Sequence, residues 1–520
     1  MPKKNKKNSK TSNISKKSND IFLNEINTFQ KGIKGIQLRI ALIYPNIYRI
    51  GMSNLAIKIL YALWNKFEQV YCERAFLDKP IDKPINTIET NSPLNEFHVL
   101  AFTIQFELDY INVLRILKNS NIPLLRLERN WEDHPIIIFG GPAVSANPKV
   151  MASFADIIFI GEIEAVVNEF TEALFYRDPV MLTKIPGVYL SSNPNKNIEY
   201  AFSTSLDESF FPTAQVRNLN DSDWSQNQVL GGFLLQVTRG CNHGCKFCLI
   251  GRLTRGMGQH RMRERSLEKT LELIDEGTRE TQTNHLSLIG SGIADYSCLY
   301  ELLRELNNKK VKFSIPSIRT DSDSNIFVEL VRAGQKTLTI APEVGSDQYR
   351  RFLGKNLSNK QIIDFVKRAK DAGILNLKLY LLLGLPSQTD EEVSNMIELV
   401  QEVGKYYEKR DLSITIGYFV PKKKTPFSDV KYCKKDFEIM KKHSNILIKA
   451  LRGVSTLHKG SLKWNILQII LSLGDESLTG KFVKLVETQS TYQDWVSILG
   501  DPVEFLLKMQ KKEENMDIEI

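Results

Sequence analysis

The sequence predicts an α/β protein. A doubly wound parallel sheet comes first, then an incomplete (β/α)6 barrel, then a small α-rich cap. Three observations predict this. From Leu38, short apolar runs alternate with segments whose apolar residues recur at helical spacing. From Phe233, a strand-then-helix unit recurs six times. At the end of the first of those strands, Thr238 to Gly251 reads TRGCNHGCKFCLIG and sets Cys241, Cys245 and Cys248 in a C-x3-C-x2-C array.

In the first part, Ile40–Tyr44, Val70–Phe76, Val99–Ile104, Ile136–Phe139 and Ile157–Ile160 read as strands. Met52–Phe67, Ile111–Leu117 and Ala165–Phe175 read as helices between or after them. In an open sheet of this kind ligands sit beyond the carboxyl ends of the strands. Glycines fall there: Gly51 after the first strand, Gly140-Gly141-Pro142 after the fourth, and Gly161-Glu162 after the fifth. Each glycine alone serves as a strand-to-helix turn. Together, at one edge, they suggest a ligand shelf.

The length of 520 residues suits about three domains. We place a Lys-rich tail at 1–37, the first sheet at 38–182, a Pro-, Asn- and Ser-rich connection at 183–229, the barrel at 230–452 and the cap at 453–520. The composition, 42% hydrophobic and 25% charged, is that of a globular protein. No apolar run approaches the roughly 20 residues that span a bilayer, and no apolar core follows the basic N-terminus as in a secretory signal. Six cysteines, three of them clustered, fit a reducing cytoplasm better than a disulfide scaffold. Cys72, Cys298 and Cys433 are scattered and read as ordinary thiols. The net charge of +9 owes much to the tail Met1 to Asp20, which reads as solvated chain.

The barrel strands are Phe233–Val237, Leu286–Ile289, Lys312–Ile315, Thr337–Ile340, Leu377–Leu383 and Ser413–Phe419, with helices between them and Lys435–Ala450 after the last. Barrel chemistry sits at the carboxyl ends of the strands, and the cysteine loop follows the first. Three thiolates leave one iron of a four-iron cube open, unlike the four-cysteine set of an electron-transfer cluster. Gly240 and Gly244 let the loop wrap a bulky group, and Phe247 can shield it or stack on a flat ring. A zinc site with His243 as fourth ligand is the plainer alternative.

The array, with an aromatic residue before its third cysteine and a strand ahead of it, resembles the signature of radical S-adenosylmethionine (SAM) enzymes. That resemblance implies a TIM-like partial barrel, a [4Fe-4S] cluster on the three cysteines, and SAM chelated by the open iron. One-electron cleavage of SAM then gives a 5′-deoxyadenosyl radical. It implies a SAM-binding role for Phe247 and for Gly290-Ser291-Gly292, which would receive the amino group. Arg319 would pair the methionyl carboxylate, Glu343 of APEVGS would accept from ribose or ammonium, and Arg350 follows in the same motif. Leu385, in Leu383-Gly384-Leu385-Pro386, would flank adenine. A plain turn at Gly290 and a surface ion pair at Arg319 are the bland alternatives. The resemblance also implies a low-potential electron donor of the flavodoxin or ferredoxin type.

The runs YPNIYRIGMSNLAIKILYALWN, CERAF, FTIQFELDYINVLRIL and FGGPAVSANPKVMASFADIIFIGEIEAV are similar to the subclass that carries an N-terminal cobalamin-binding domain. There Gly51, Gly140, Gly141, Gly161 and Glu162 would border cobalamin. The D-x-H-x-x-G signature that supplies an axial histidine is absent, since the first loop reads YPNIYRIG. The domain either holds cobalamin without that histidine or has lost it. With cobalamin, methyl transfer or other C–H functionalisation is the expected outcome. An RNA-modifying radical enzyme is the alternative, which the Lys-rich tail and the run ending Thr425-Pro426-Phe427 permit without choosing it. Lys422, Lys423 and Lys424 would meet an anionic substrate or simply line a solvated loop. A non-catalytic metal-binding interaction module is the alternative of another class. The substrate, whether small molecule, lipid or RNA, is not written in these motifs.

Overall fold

The computed structural model describes residues 24–77, 82–192, 198–220, 230–253, 261–315, 317–320 and 325–518. The tail Met1 to Asp20 lies outside them, as do parts of the 183–229 connection.

The first sheet contains β1 (Leu38–Tyr44), β2 (Val70–Phe76), β3 (Val99–Thr103), β4 (Ile136–Gly140), β5 (Ile157–Phe159) and β6 (Val188–Leu190), in the spatial order β2-β1-β3-β4-β5-β6. All pairs are parallel except β5 with β6. The strands are near-continuous Val, Ile, Leu and Phe because helices cover both faces, and every residue of β2 and β3 is buried. β6 lies in the stretch expected to be a connection. It instead closes the sheet edge, so the sheet runs past residue 182. The order reverses between β1 and β3, which makes the crevice beyond their carboxyl ends the switch point.

The barrel is built from two parallel sheets. One holds β7 (Phe233–Gln236), β10 (His285–Ile289) and β11 (Lys312–Ser314), with β10 in the middle. The other is β12 (Thr337–Glu343), β13 (Asn376–Leu383), β14 (Leu412–Tyr418) and β15 (Thr456–Lys459), in that order. Among the described residues no ladder joins β11 to β12. The Gln335 carboxamide bridges there instead, accepting from Ile315 N at 3.1 Å and donating to Ile315 O at 3.1 Å. Gln215 does the same on the opposite edge, at Leu234 N and O (3.1 and 2.8 Å). Two glutamine side chains thus satisfy backbone groups that an open edge would leave exposed.

β15 is a seventh parallel strand, in the stretch expected to be only helical cap. Its sequence Thr-Leu-His-Lys is mostly exposed and carries no apolar alternation to announce it. The other barrel helices fall where their periodicity puts them, and caps fix their starts. Ser358 and Gln361 form a capping box at Asn359–Asp371, and Thr389 accepts from Glu392 N at Asp390–Val403. Among the described residues no helix is long and apolar enough to cross a membrane.

Candidate active site

The cysteine loop is mounted on a clamp. β8 (Thr238–Gly240) and β9 (Met262–Glu264) pair antiparallel, and the loop springs from Gly240. Gly240 has φ +85°, and a Cβ there would lie 2.0 Å from Arg261 O, so only glycine fits. The far side of the loop rests on the C-terminal end of the short helix Asp347–Phe352. Lys246 N donates to Leu353 O at 2.8 Å, and a Cβ on Gly354 would lie 2.7 Å from Gly244 O. Arg261 donates to His243 O at 2.7 Å and Arg252 to Gly244 O at 2.9 Å.

Burial pushes the Cys241 and Cys245 thiols up. At Cys241 a backbone hydrogen bond from His243 works against this, and at Cys245 the Lys355 ammonium does. Charge on Cys248 acts on both. Among the described residues no three donors converge on one point suited to a single ion. A cube takes each thiolate on a separate iron and needs no such point. His243, the candidate zinc ligand, instead bonds Asp295 through Nε2 at 2.7 Å. The donor set therefore fits the cluster better than zinc.

Beside the loop, the ends of β10, β11 and β12 enclose a cavity of about 120 Å³. Gly290, Ser291, Gly292 and Arg319 line it, and so does Lys355, to which the sequence assigned no role. Arg319 Nε lies 4.0 Å from Asp295 Oδ1, which links it to His243. Glu343 holds φ +66° just past a register shift in β12, a costly conformation for a residue with a side chain. Its Oε1 meets Lys355 Nζ at 3.1 Å, and both groups act on Cys245. Phe247 is half-buried against the core, and Leu385 is 3% exposed within it.

Arg350 is not at this cavity. Its guanidinium is fully buried and donates to Gly345 O (3.0 Å), Leu357 O (2.7 Å) and Asp347 Oδ1 (3.0 Å). It braces the APEVGS turn from behind. The E-x-G-S-then-Arg order is compatible with either role, and only burial separates them.

A second cavity, of about 380 Å³, lies where the carboxyl ends of the two sheets face each other. Gly140, Gly141, Gly161 and Glu162 line it from the first sheet, and Gln236, Arg239 and Ile289 from the barrel. Its walls include Leu42, Leu55, Phe102 and Phe159. Trp64 and Thr103 are among its lining residues, and their Nε1 and Oγ1 are buried without a hydrogen-bond partner. A largely apolar slot suits a flat ring. Gly51 is elsewhere: a Cβ there would lie 2.4 Å from the Phe76 ring, so it is a packing glycine.

Glu162 has a further task that its sequence does not announce. It takes Arg263 at 2.6 Å and Arg239 at 2.8 Å, while Glu164 takes Arg239 at 3.0 Å. Burial opposes its ionisation, but these two arginines outweigh it and hold the Glu162 carboxyl below its ordinary value. The clamp of the cysteine loop is thereby tied to the first sheet. Lys422 pairs with Glu107, and Lys424 donates to Ser145 O at 2.8 Å. These two lysines join the parts of the chain and do not await an anion.

Comparison with known proteins agrees with this arrangement. Residues 56–181 match the family described as radical SAM proteins, N-terminal, and residues 235–400 match the radical SAM superfamily. An uncharacterised protein of Methanocaldococcus jannaschii, MJ0966, is 29% identical over 450 residues, covering 85% of this chain and 89% of that one. A tRNA-2-methylthio-N(6)-dimethylallyladenosine synthase of Anoxybacillus flavithermus is 22% identical, and the match spans 55% of each chain. Among solved structures, the radical SAM methyltransferase TsrM of Kitasatospora setae, with cobalamin and a [4Fe-4S] cluster bound, gives a TM-score of 0.51 at 12% identity. That match covers 75% of this chain and 73% of TsrM. The cobalamin-dependent SAM radical enzyme OxsB gives 0.53 at 13% identity, covering 93% and 80%. Those two likenesses speak for the fold. With both family matches in register with the two sheets and the cysteine array at the barrel rim, the chain belongs to the radical SAM superfamily, and it is an enzyme.

Proposed function

We propose that this enzyme cleaves SAM at a [4Fe-4S] cluster held by Cys241, Cys245 and Cys248, and that the cavity between the sheets holds cobalamin for methyl transfer to a substrate carbon. When bound, the cluster with SAM supplies a 5′-deoxyadenosyl radical, and cobalamin supplies a methyl group. The observation that carries the reading is the cavity shared by the two carboxyl edges. Its barrel wall includes Arg239, two residues before the first cysteine.

The chain's own residues have defined tasks in this reading. Gly290 to Gly292 offer backbone to an ammonium, and Arg319 offers a guanidinium to a carboxylate. Lys355 neutralises Glu343 until a ligand takes either group. The apolar walls of the larger cavity exclude water from the ring they face. The first loop, YPNIYRIG, offers the ring no histidine. Cys72, Cys298 and Cys433 lie on a strand, before a helix and at a helix cap, far apart in the fold. They give no second cysteine cluster of the kind sulfur insertion uses, so C–H methylation is favoured over methylthiolation.

Anaerobic reconstitution tests this. The protein should take up iron and sulfide, turn brown, and convert SAM to 5′-deoxyadenosine with a strong reductant. Purification with added hydroxocobalamin should leave a corrinoid absorbance. Iron uptake without SAM cleavage sinks the first half, and a colourless first domain sinks the second.

A further inference from the structure

The four-stranded sheet of the half-barrel has an uncovered face. Along β13, Leu377, Leu379, Leu381 and Leu383 are buried in one cluster with Phe365, Val366 and Val400 of the flanking helices. Lys378, Tyr380 and Leu382 alternate with them and point the other way. β13 is an interior strand, paired on both sides by β12 and β14. Exposure there cannot come from a sheet edge, yet Tyr380 is 38% exposed.

Barrel interiors are ordinarily filled by branched apolar side chains. This one is not. One rung across the face reads Thr339, Lys378, Ser413, Thr456, and the next holds Tyr380, Thr415 and His458. Toward the mouth this face carries Ala341, Leu382 and Gly417, with Leu382 set beside Gly417. Lys378 Nζ lies 5.1 Å from the centroid of the Tyr380 ring, and no ion pair or hydrogen bond engages it among the described residues. A half-buried ammonium beside an exposed ring, inside a concave wall, is the donor set for a ring-bearing acid.

We propose that this face is a substrate subsite for an elongated organic oxyanion, with Lys378 holding the acid group and Tyr380 the adjoining ring. Lys378 lies five residues before the mouth end of its strand, roughly 16 Å at the rise of a β-strand. The acid group is thus the far end of the molecule, and the end near Glu343 and the cysteine loop is the one presented for reaction. What happens to that end rests on the radical reading above; the subsite itself rests on the uncovered face. Carboxylate and phosphate both suit a lysine.

The test titrates the cluster-loaded full-length protein with phenylacetate, phenyl phosphate and neutral phenol by calorimetry. The two anions should bind saturably and phenol should not. The stronger anion names the acid group. Lys378→Gln should weaken binding about tenfold or more, because a charged hydrogen bond is lost. Lys378→Arg should restore most of it, and Tyr380→Ala should weaken both anions together. Absence of saturable binding by either anion overturns the proposal. So does equal binding by Lys378→Gln, provided its iron content matches wild type, or equal binding of phenol. Reductive SAM cleavage by the same wild-type preparation is read in parallel. Anion binding without cleavage would keep the subsite and remove the radical reading; cleavage without anion binding would do the reverse.

Discussion

The two parallel-sheet bodies of this chain treat their faces differently. β1, β2 and β3 are buried on both sides, so the first sheet has space only beyond its carboxyl edge. β12, β13 and β14 alternate buried with partly exposed residues, so the half-barrel is also partly open along one face. The difference follows from closure. A sheet sandwiched by helices must fill both faces with apolar side chains, whereas a barrel that stops short need not fill its interior. One body is thus suited to present a group at its rim, and the other to enclose a molecule along its wall.

The largest effect that sharpens this comparison is at the rim. Cys245→Ala should abolish iron and sulfide uptake and the brown colour, while far-UV circular dichroism stays as in wild type. Normal iron content in that variant would remove the cluster from the barrel mouth.

Next come the glycines of the first sheet's edge. Gly141 has φ +107°, and a Cβ there would lie 2.5 Å from Ile104 O, so Gly141→Ala should cost about 3 kcal/mol or more in urea unfolding. Gly334, in the barrel, has φ +89° with open space around it, and Gly334→Ala should cost only about 1 kcal/mol. Equal costs would mean that the edge of the first sheet is no tighter than a barrel turn.

Two arginines of the barrel divide in the same way. Arg350→Met leaves buried carbonyls unpaired and should cost about 3 kcal/mol. Arg319 is 22% exposed by side chain, and Arg319→Met should cost under about 1 kcal/mol while weakening SAM binding. The reverse pattern would exchange their roles as brace and ligand.

A pH dependence at the first sheet's edge completes the comparison. Burial raises the Asp109 carboxyl to about 6 from an ordinary 3.8, against hydrogen bonds from Asn46 and Asn112. The favourable contribution of the protonated form is complete below pH 3.8 and is lost as pH rises through about 6. Asp109→Asn keeps an acceptor for both amides and cannot ionise. It should stabilise the protein at pH 8 by on the order of 1–3 kcal/mol and leave it unchanged at pH 4. Stabilisation equal at both pH values would show that Asp109 is not held out of water.

Most strands were legible because apolar runs of five to eight residues have few other uses. Val70–Phe76 matches its strand to the residue. β15 was illegible because an exposed edge strand needs no apolar alternation. The ion-pair and hydrogen-bond partners of Glu162, Lys422 and Lys424 were illegible for another reason. Each is an ordinary charged residue in a loop, and its partner lies far away in sequence: Arg263 is 101 positions from Glu162, and Glu107 is 315 from Lys422. Arg350 and Arg319 both follow strand ends, and nothing local says which one the fold buries.

The sequence by itself determined the chemistry: three thiols within eight residues, glycines where the chain must turn or come close, and an order of strand-end motifs that only one kind of barrel uses. Those signals are local, so they survive in one dimension. The tertiary structure alone decided which charged groups join the two bodies, which arginine is a brace, and which barrel face stays open. Burial and pairing are properties of what lies across from a residue, and that is set by how the sheets stack.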